Sequence, residues 1–260
     1  MALWTPTNIS DGSLELWFDA TTGVVTSGAN VTSWTDRVHN VSTTLRGTVA
    51  PTYTASLLNG LPGITCAGTG GLANTSTGTT RSNFNNDISA LVVMQITTNN
   101  FQTIYGAYIP GFGEPTFAFV PGPPVPIAIE SIGIADSASS QTLALSTAAI
   151  AEWVAPAISG GSWTGVQPYI NGTAGAVIPP MAMGAFTQGG IEIFSDSSGG
   201  TPGNVHEIVV FNLQVGTTNR QLTEGYLAWK WGLQAGLPAG HPYKSAAPTK
   251  IGRASCRERV

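Results

Sequence analysis

The sequence predicts an all-β domain: a sandwich of two antiparallel sheets closed by one C-terminal α-helix. Three observations carry that reading. The 260 residues include 32 glycines and 17 prolines, which break the chain into short runs joined by tight turns. Most of those runs either alternate apolar and polar residues or stay apolar for the length of a strand. One late segment, TTNRQLTEGYLAWKWGLQAG, has a helical period instead. Hydrophobic residues make up 42%, enough for a sizeable core, and no repeat or low-complexity linker divides the chain, so one domain is expected.

In DGSLELWFDATTGVV, Leu14, Leu16 and Phe18 fall on one side and Glu15 and Trp17 on the other, as in a half-buried strand. VTSWTDRVHN then carries Trp34 and Asp36 into a turn. APTYTASLLNGLPGITCAG reads as a strand, a turn at Asn59-Gly60 and a second strand ending at Cys66. DISALVVMQIT is continuously apolar in its middle and fits a central strand. Phe101 to Ile109 and Pro115 to Val120 read as further strands. PGPPVP, at 121–126, lacks ladder donors and fits a loop or an edge. QTLALSTAAIAEWVAPAI, the GVQPYINGTAGAV hairpin turning at Asn171-Gly172, GGIEIFSD and VHEIVVFN complete roughly ten to twelve strands at sandwich spacing.

In the helical segment, Thr218 and Gln221 suggest a capping box. Leu222, Tyr226, Trp229 and Leu233 fall at i, i+4, i+7 and i+11, one stripe of a helix. Gly232 or Gly236 can supply a left-handed cap, with Pro238 preventing continuation. The stripe reads as packing that seals the sandwich, with Trp231 off the stripe and against the LPAGHPY tail. The functional alternative is a sugar platform, because Trp and Tyr rings stack on the apolar faces of sugars.

Composition excludes several function classes. Charged residues are only 9%, against about 25% in ordinary soluble domains, so Thr, Ser, Asn and Gln must solvate the surface. Such surfaces are common on extracellular and virion proteins. The net charge of −4, with no Lys/Arg run before the last ten residues, leaves no footprint for nucleic acid and no polybasic membrane patch. No apolar run of about 18 residues spans a bilayer, and no secretory signal is expected at the start. Two cysteines, Cys66 and Cys256, are too few for a disulfide framework. The final ten residues, IGRASCRERV, back-translate with suitable codons to a widely used short-read sequencing adapter. The domain is therefore read as residues 1–250 and the tail 251–260 as non-native, with the natural chain expected to continue past Lys250. Cys66 is left as a lone thiol of the core.

Three pieces resemble the LamG-like members of the concanavalin A-like lectin/glucanase superfamily, of the type found on bacteriophage virions and bacterial surfaces. They are LELWFDATTGVVTSGANVTSWTDR with its aspartate and later Trp-x-Asp, PYINGT, and VHEIVVFN followed by EGYLAWKWGL and LPAGHPY. They bracket the chain from Leu14 to Tyr243, and the last is the most specific. The resemblance implies a concanavalin A-like jelly roll, usually non-enzymatic and often used for adhesion or glycan recognition.

Retaining glycoside hydrolysis needs two carboxylates about 5–5.5 Å apart. IEIFSD offers Glu192 and Asp196, but Phe194 occupies the place of a middle acid and Ser197 that of the last; VHEIVVFN offers Glu207 alone. Hydrolysis is not expected, and both glutamates read as facing solvent or accepting a cap hydrogen bond. Ca²⁺ is the ion such sandwiches hold through loop carboxylates and carbonyls. Asp19, Asp36 and Asp196 are the best turn acids, and Asp196 with the DSSGG carbonyls is the candidate site; the alternative is an Asx-turn. His39, His206 and His241 lack zinc spacing. No nucleophile elbow, P-loop or dinucleotide fingerprint occurs. The long Pro/Gly-rich loops PGFGEPTFAFVPGPPVP and SDSSGGTPGN are where a ligand is expected, with Tyr108, Phe112 and Trp163 as stacking rings or, equally, as core. The expected function is non-enzymatic decoration or adhesion on a virion or cell surface, with glycans or virion proteins as partners and a homo-oligomer as one form. Two alternatives stand beside it: a purely structural virion module, and a divergent glycoside hydrolase using Glu192 or Glu207.

Overall fold

The structure is a computed structural model and describes residues 3–76, 84–100, 102–108, 115–122, 124–131, 135–183, 190–196 and 199–250. The first strands are β1 (Leu14–Asp19), β2 (Val24–Ser27), β3 (Asn30–Thr35), β4 (Ser42–Gly47), β5 (Thr52–Leu58), β6 (Leu61–Cys66) and β7 (Gly70–Asn74). The middle of the chain supplies β8 (Ile88–Ile96), β9 (Gln102–Tyr108), β10 (Pro115–Phe119), β11 (Val125–Ser131), β12 (Ala135–Leu143) and β13 (Ala149–Ala155). After the short β14 (Ser162–Trp163) come β15 (Gln167–Ile170), β16 (Thr173–Ala174), β17 (Met181–Ala182), β18 (Gly190–Ile193), β19 (Ser195–Asp196), β20 (Gly199–Gly200) and β21 (Gly203–Phe211). Helix α1 (Thr217–Trp231) follows.

Two antiparallel sheets face each other. The helix-side sheet runs β16–β15–β13–β8–β21. Beyond β21 lie β1, along Glu207–Phe211, and β6, along Gly203–Val205, with β5 next to β6. The far sheet runs β2–β3–β4–β7–β18–β9–β10–β11–β12. The sheets meet at the single pairing of Asn30 with Thr52. This is the β-sandwich jelly roll that the short alternating runs predict, with one C-terminal helix.

The main core lies between the sheets. Leu16, Phe18, Val92, Met94, Trp153, Ile208 and Val210 reach in from one side, and Trp34, Leu72, Phe117, Phe119, Ile127, Ile191 and Ile193 from the other. Cys66 belongs to this core, and burial pushes its thiol up to about 12, so it stays an unreactive apolar filler. A second cluster lies outside the helix-side sheet, where Trp17, Leu91, Val93, Ile150, Val209 and Phe211 pack against Leu227, Ala228 and Trp231 of α1. The helix therefore covers an outer face and forms a third layer. That explains the unbroken apolar run of β8: Ala90, Val92 and Met94 point between the sheets, while Leu91 and Val93 point under the helix.

Both Asn-Gly hairpins form as predicted. Asn59 and Gly60 have φ of 51° and 74°, and Asn171 and Gly172 of 49° and 74°; the two consecutive positive values define a type I′ turn. The helix start departs from the capping-box expectation. The N-cap is Gly216, one residue before Thr217, and Thr218 lies inside the first turn. Gly232, at φ 73°, is the left-handed C-cap.

Two bulges rotate side chains away from simple alternation. One lies between Leu14 and Leu16, so Leu14 joins the cluster under the helix while Leu16 and Phe18 enter the core. The other lies between Val205 and Glu207. Beyond it, Ile208 and Val210 face the core, and Glu207 turns outward beneath α1 beside Val209 and Phe211.

Candidate functional site

The buried face of α1 is offset from the stripe read in the sequence. Arg220, Thr223, Glu224, Gly225, Leu227, Ala228 and Trp231 are buried. Leu222, Tyr226, Trp229 and Leu233 are all half-buried at the margin. Two acidic clusters lie beneath the buried face.

Glu207 anchors the first. It is fully buried, yet all its partners are donors. Trp17 Nε1 and Trp231 Nε1 each donate to it at 2.6 Å and the Tyr226 hydroxyl at 3.0 Å, while Lys230 Nζ lies 2.8 Å away. Lys230 also reaches Asp19 at 2.8 Å. Asp19 further accepts from Arg37 at 2.7 Å and from the Thr21 amide and hydroxyl, and Arg37 stacks 3.8 Å over Trp17. Burial pushes Asp19 up, but the Lys230 charge and the hydrogen bonds outweigh it and hold the carboxyl below its usual range. Burial raises Glu207 against the pull of Lys230. His206, on the bulge, packs 5.1 Å from the Trp231 ring, and burial lowers it to about 4, so it is a neutral core histidine.

The second cluster joins Glu152 of β13, Arg220 and Glu224 of α1, and His241 of the segment that folds back after the helix. Glu152 and Glu224 are both 0% exposed. Arg220 pairs with Glu224, lies 3.8 Å from Glu152 and stacks 3.9 Å over Tyr169. His241 Nε2 is 2.7 Å from Glu224.

An aromatic cavity opens on the margin of α1. Its volume is 380 Å³, and Leu3, Trp4, Thr5, Tyr226, Trp229, Lys230, Ala247 and Pro248 line it. Trp4 and Tyr226 meet edge to face with centroids 6.2 Å apart. The indole of Trp229 donates to the Tyr243 carbonyl at 2.7 Å, which fixes its ring. A neighbouring cavity of 430 Å³ shares Trp4 and adds Asn8, Thr218, Leu222, Tyr243, Thr249 and Lys250. The two chain ends build this margin together: Leu3 bridges Thr249, and the Trp4 amide donates to the Pro248 carbonyl at 3.0 Å. Both volumes lie in the range of small-ligand sites. The sequence reading missed Trp4 because nothing in it links residue 4 to residue 248.

The remaining predicted residues are placed as follows. Trp163 is fully buried, donates to the Pro156 carbonyl at 3.0 Å and packs against Phe84 and Phe117. It is therefore core, which corrects its placement as an exposed stacking ring and leaves the other of the two readings; Phe117 stacks on it, Phe84 meets it edge to face, and it is 0% exposed. Phe112, the side chain of Tyr108 and the side chain of Asp196 lie outside the described residues. Asp196 contributes its backbone to β19, paired with Gly199. Among the described residues no group of three His, Cys, Asp or Glu could hold a metal ion. Asp36 makes an Asx-type turn, accepting from the Val38 and His39 amides and from that of Trp17. Glu192 does not face solvent: it is fully buried and paired with Arg46. Neither does Glu207, whose burial follows from the β21 bulge. Among the described residues no helix is long and apolar enough to cross a membrane.

No family model matches the chain, and no curated protein matches it. Among solved structures it is similar to Trypanosoma rangeli sialidase in complex with 2,3-difluoro-KDN, at TM-score 0.57 and 11% identity, over 85% of this chain and 33% of that one. The chain thus spans about a third of the sialidase. It is similar to domain 4 of AbnA, a GH43 extracellular arabinanase from Geobacillus stearothermophilus, in complex with arabinotriose, at TM-score 0.54 and 13% identity, over 82% and 97% of the two chains. It is also similar to the binding domain of botulinum neurotoxin DC in complex with SialylT, at TM-score 0.53 and 10% identity, over 83% and 52%. At such identities the likeness is one of fold: the chain shares the β-sandwich of these domains.

Proposed function

We propose that this chain is a LamG-like, non-enzymatic carbohydrate-binding domain that decorates or adheres to a virion or cell surface. The observation that carries the reading is the aromatic cavity at the margin of α1. The half-buried Tyr226 and Trp229, backed by the buried Trp4, line it with rings of the kind that stack on sugars, and the adjoining cavity offers Asn8, Thr218 and Lys250 for hydroxyl groups. The fold supports it, because domains of this architecture have been solved with arabinotriose and with SialylT. The charge-poor polar surface and the resemblance of the opening strand, the Asn171-Gly172 hairpin and the terminal helix support the surface assignment. The buried acids support the non-enzymatic part. Glu192, Glu207, Glu152 and Glu224 are all 0% exposed and engaged with other side chains, so none is offered to a glycosidic bond.

Isothermal titration with arabinotriose, sialyllactose and diacetylchitobiose, backed by a glycan array, tests the assignment. Saccharide binding that Trp229→Ala weakens at least tenfold is the expected outcome. No binding to any glycan, together with firm incorporation into particles, would replace it with a purely structural role. Reducing-sugar release from β-glucans that is lost in Glu192→Gln would restore a hydrolase.

A further inference from the structure

The Glu152 cluster is short of donors. Neither Glu152 oxygen has a hydrogen-bond donor of full geometry among the described residues. The Gly172 amide lies toward it, Arg220 is 3.8 Å away, and another acid, Glu224, lies within hydrogen-bonding contact. Two ionised carboxylates cannot share a dry site, whereas one proton between them turns the contact into a hydrogen bond.

The surroundings place that proton. Glu224 already accepts from Arg220 and His241. The Tyr243 amide donates to His241 Nδ1 at 3.2 Å, so Nδ1 is the unprotonated nitrogen, and the ring proton sits on Nε2, aimed at Glu224. Arg220 lies against Glu224, so the shared proton is placed on Glu152. Burial first, and then the Glu224 charge, push Glu152 well above the usual carboxylate range. The groups facing it are Arg220 and Glu224 from α1, His241 from the fold-back segment, and Tyr169 of β15 beneath Arg220; on β8 its partner is the apolar Leu91.

We propose that Glu152, Glu224 and His241 form a proton-dependent latch that holds the fold-back segment Leu237–Tyr243 on α1 when one proton is shared and loosens it when that proton is lost. The same segment walls the aromatic cavities, through Tyr243 in one and through its carbonyl on Trp229 in the other. The latch therefore regulates ligand binding, and this consequence alone rests on the cavity being the carbohydrate site. The sign follows from the raised carboxyl. Its contribution is fully present below the ordinary value of 4.5 and is lost as pH rises through the folded-state value. Across that interval one proton makes the folding constant fall by up to about tenfold per pH unit.

Glu152→Gln keeps a neutral donor toward Glu224 at every pH. Denaturant titrations and Tyr243 amide protection factors, from pH 5 to 9, compare it with the natural sequence. The expected result is Tyr243 protection that falls with rising pH in the natural protein, a flat profile in E152Q, and a folding-constant ratio that widens in favour of E152Q. Parallel pH profiles would overturn the latch. If E152Q does not fold, the natural protein still decides through the infrared band of a protonated carboxyl at pH 7 and the Tyr243 profile; absence of either the band or the fall overturns it. Repeating the three saccharide titrations across the same pH range separates the two readings. Failure to bind at any pH removes the cavity reading, while Tyr243 protection still reports on the latch.

Discussion

Helix α1 covers two buried acids of the same sheet, and the two are handled in opposite ways. Around Glu207 every hydrogen-bonding partner is a donor, two indoles, a phenol and an ammonium, although Asp19 shares that ammonium and its charge also raises Glu207. Glu152 instead faces a second carboxyl, and one guanidinium serves both. Both acids are 0% exposed and both are raised by burial. What differs is the proton each needs. Glu207 needs none, since two indoles, a phenol and an ammonium already point their hydrogens at it. Glu152 has a partner that requires one. Burial alone therefore does not determine the chemistry of a carboxyl group; the donor count around it does.

The sharpest way to break this contrast is one substitution made at both sites. Glu207→Gln places an amide NH₂ against an indole N–H whichever way it is flipped, because Trp17 donates to one oxygen and Trp231 to the other. It also strips Lys230 of a counter-charge. A loss of about 3–5 kcal/mol in urea unfolding is expected, the range for breaking a buried ionic network. Glu152→Gln, by contrast, keeps a neutral donor toward Glu224 and should cost far less. Equal losses at the two sites would show that the distinction is false.

A smaller change sharpens the Glu207 side. Trp231→Phe keeps an aromatic ring in the cluster under the helix but removes one indole donor and part of the ring volume. Roughly 2–3 kcal/mol should be lost, combining a small cavity with a carboxylate oxygen left to Lys230 alone. Near-zero change in the unfolding midpoint would mean that Lys230 suffices for the oxygen Trp231 shares with it.

Much of this was legible in the sequence, and the rest failed for identifiable reasons. Leu16 and Phe18, the apolar β8 and both Asn-Gly turns follow from period and turn chemistry. Glu207 did not, because VHEIVVFN alternates as if Val205 and Glu207 shared a face, and only the bulge at His206 separates them. The helix was readable as a helix but not in its rotation. A stripe of large apolar residues marks the buried face only where the contacts beneath are apolar. Here Arg220 and Glu224 are buried because Glu152, 72 positions from Glu224 in sequence, faces them. Trp163 was open between a stacking ring and core in the sequence, and only its contacts with Phe84 and Phe117 decide for core. The paired chain ends at Trp4 and Pro248 left no local signal at all.

The mildest test uses the two type I′ turns, which are matched in conformation and differ in surroundings. Gly60 and Gly172 both have φ 74°. An added Cβ at Gly60 meets nothing within 4 Å, whereas one at Gly172 lies 3.2 Å from Glu224 Oε2 and 3.4 Å from the His241 ring. Gly60→Ala should therefore cost only the left-handed strain, about 1 kcal/mol. Gly172→Ala adds a push on the Glu224–His241 contact and should cost roughly 2 kcal/mol. Because backbone strain is common to both, the difference reports on the Glu152 cluster alone. That difference should shrink at high pH in the natural sequence, where the cluster is already loosened, and persist in an E152Q background. A difference that is absent at every pH would place the hairpin tip outside the cluster and leave His241 as its only tie to the fold-back segment.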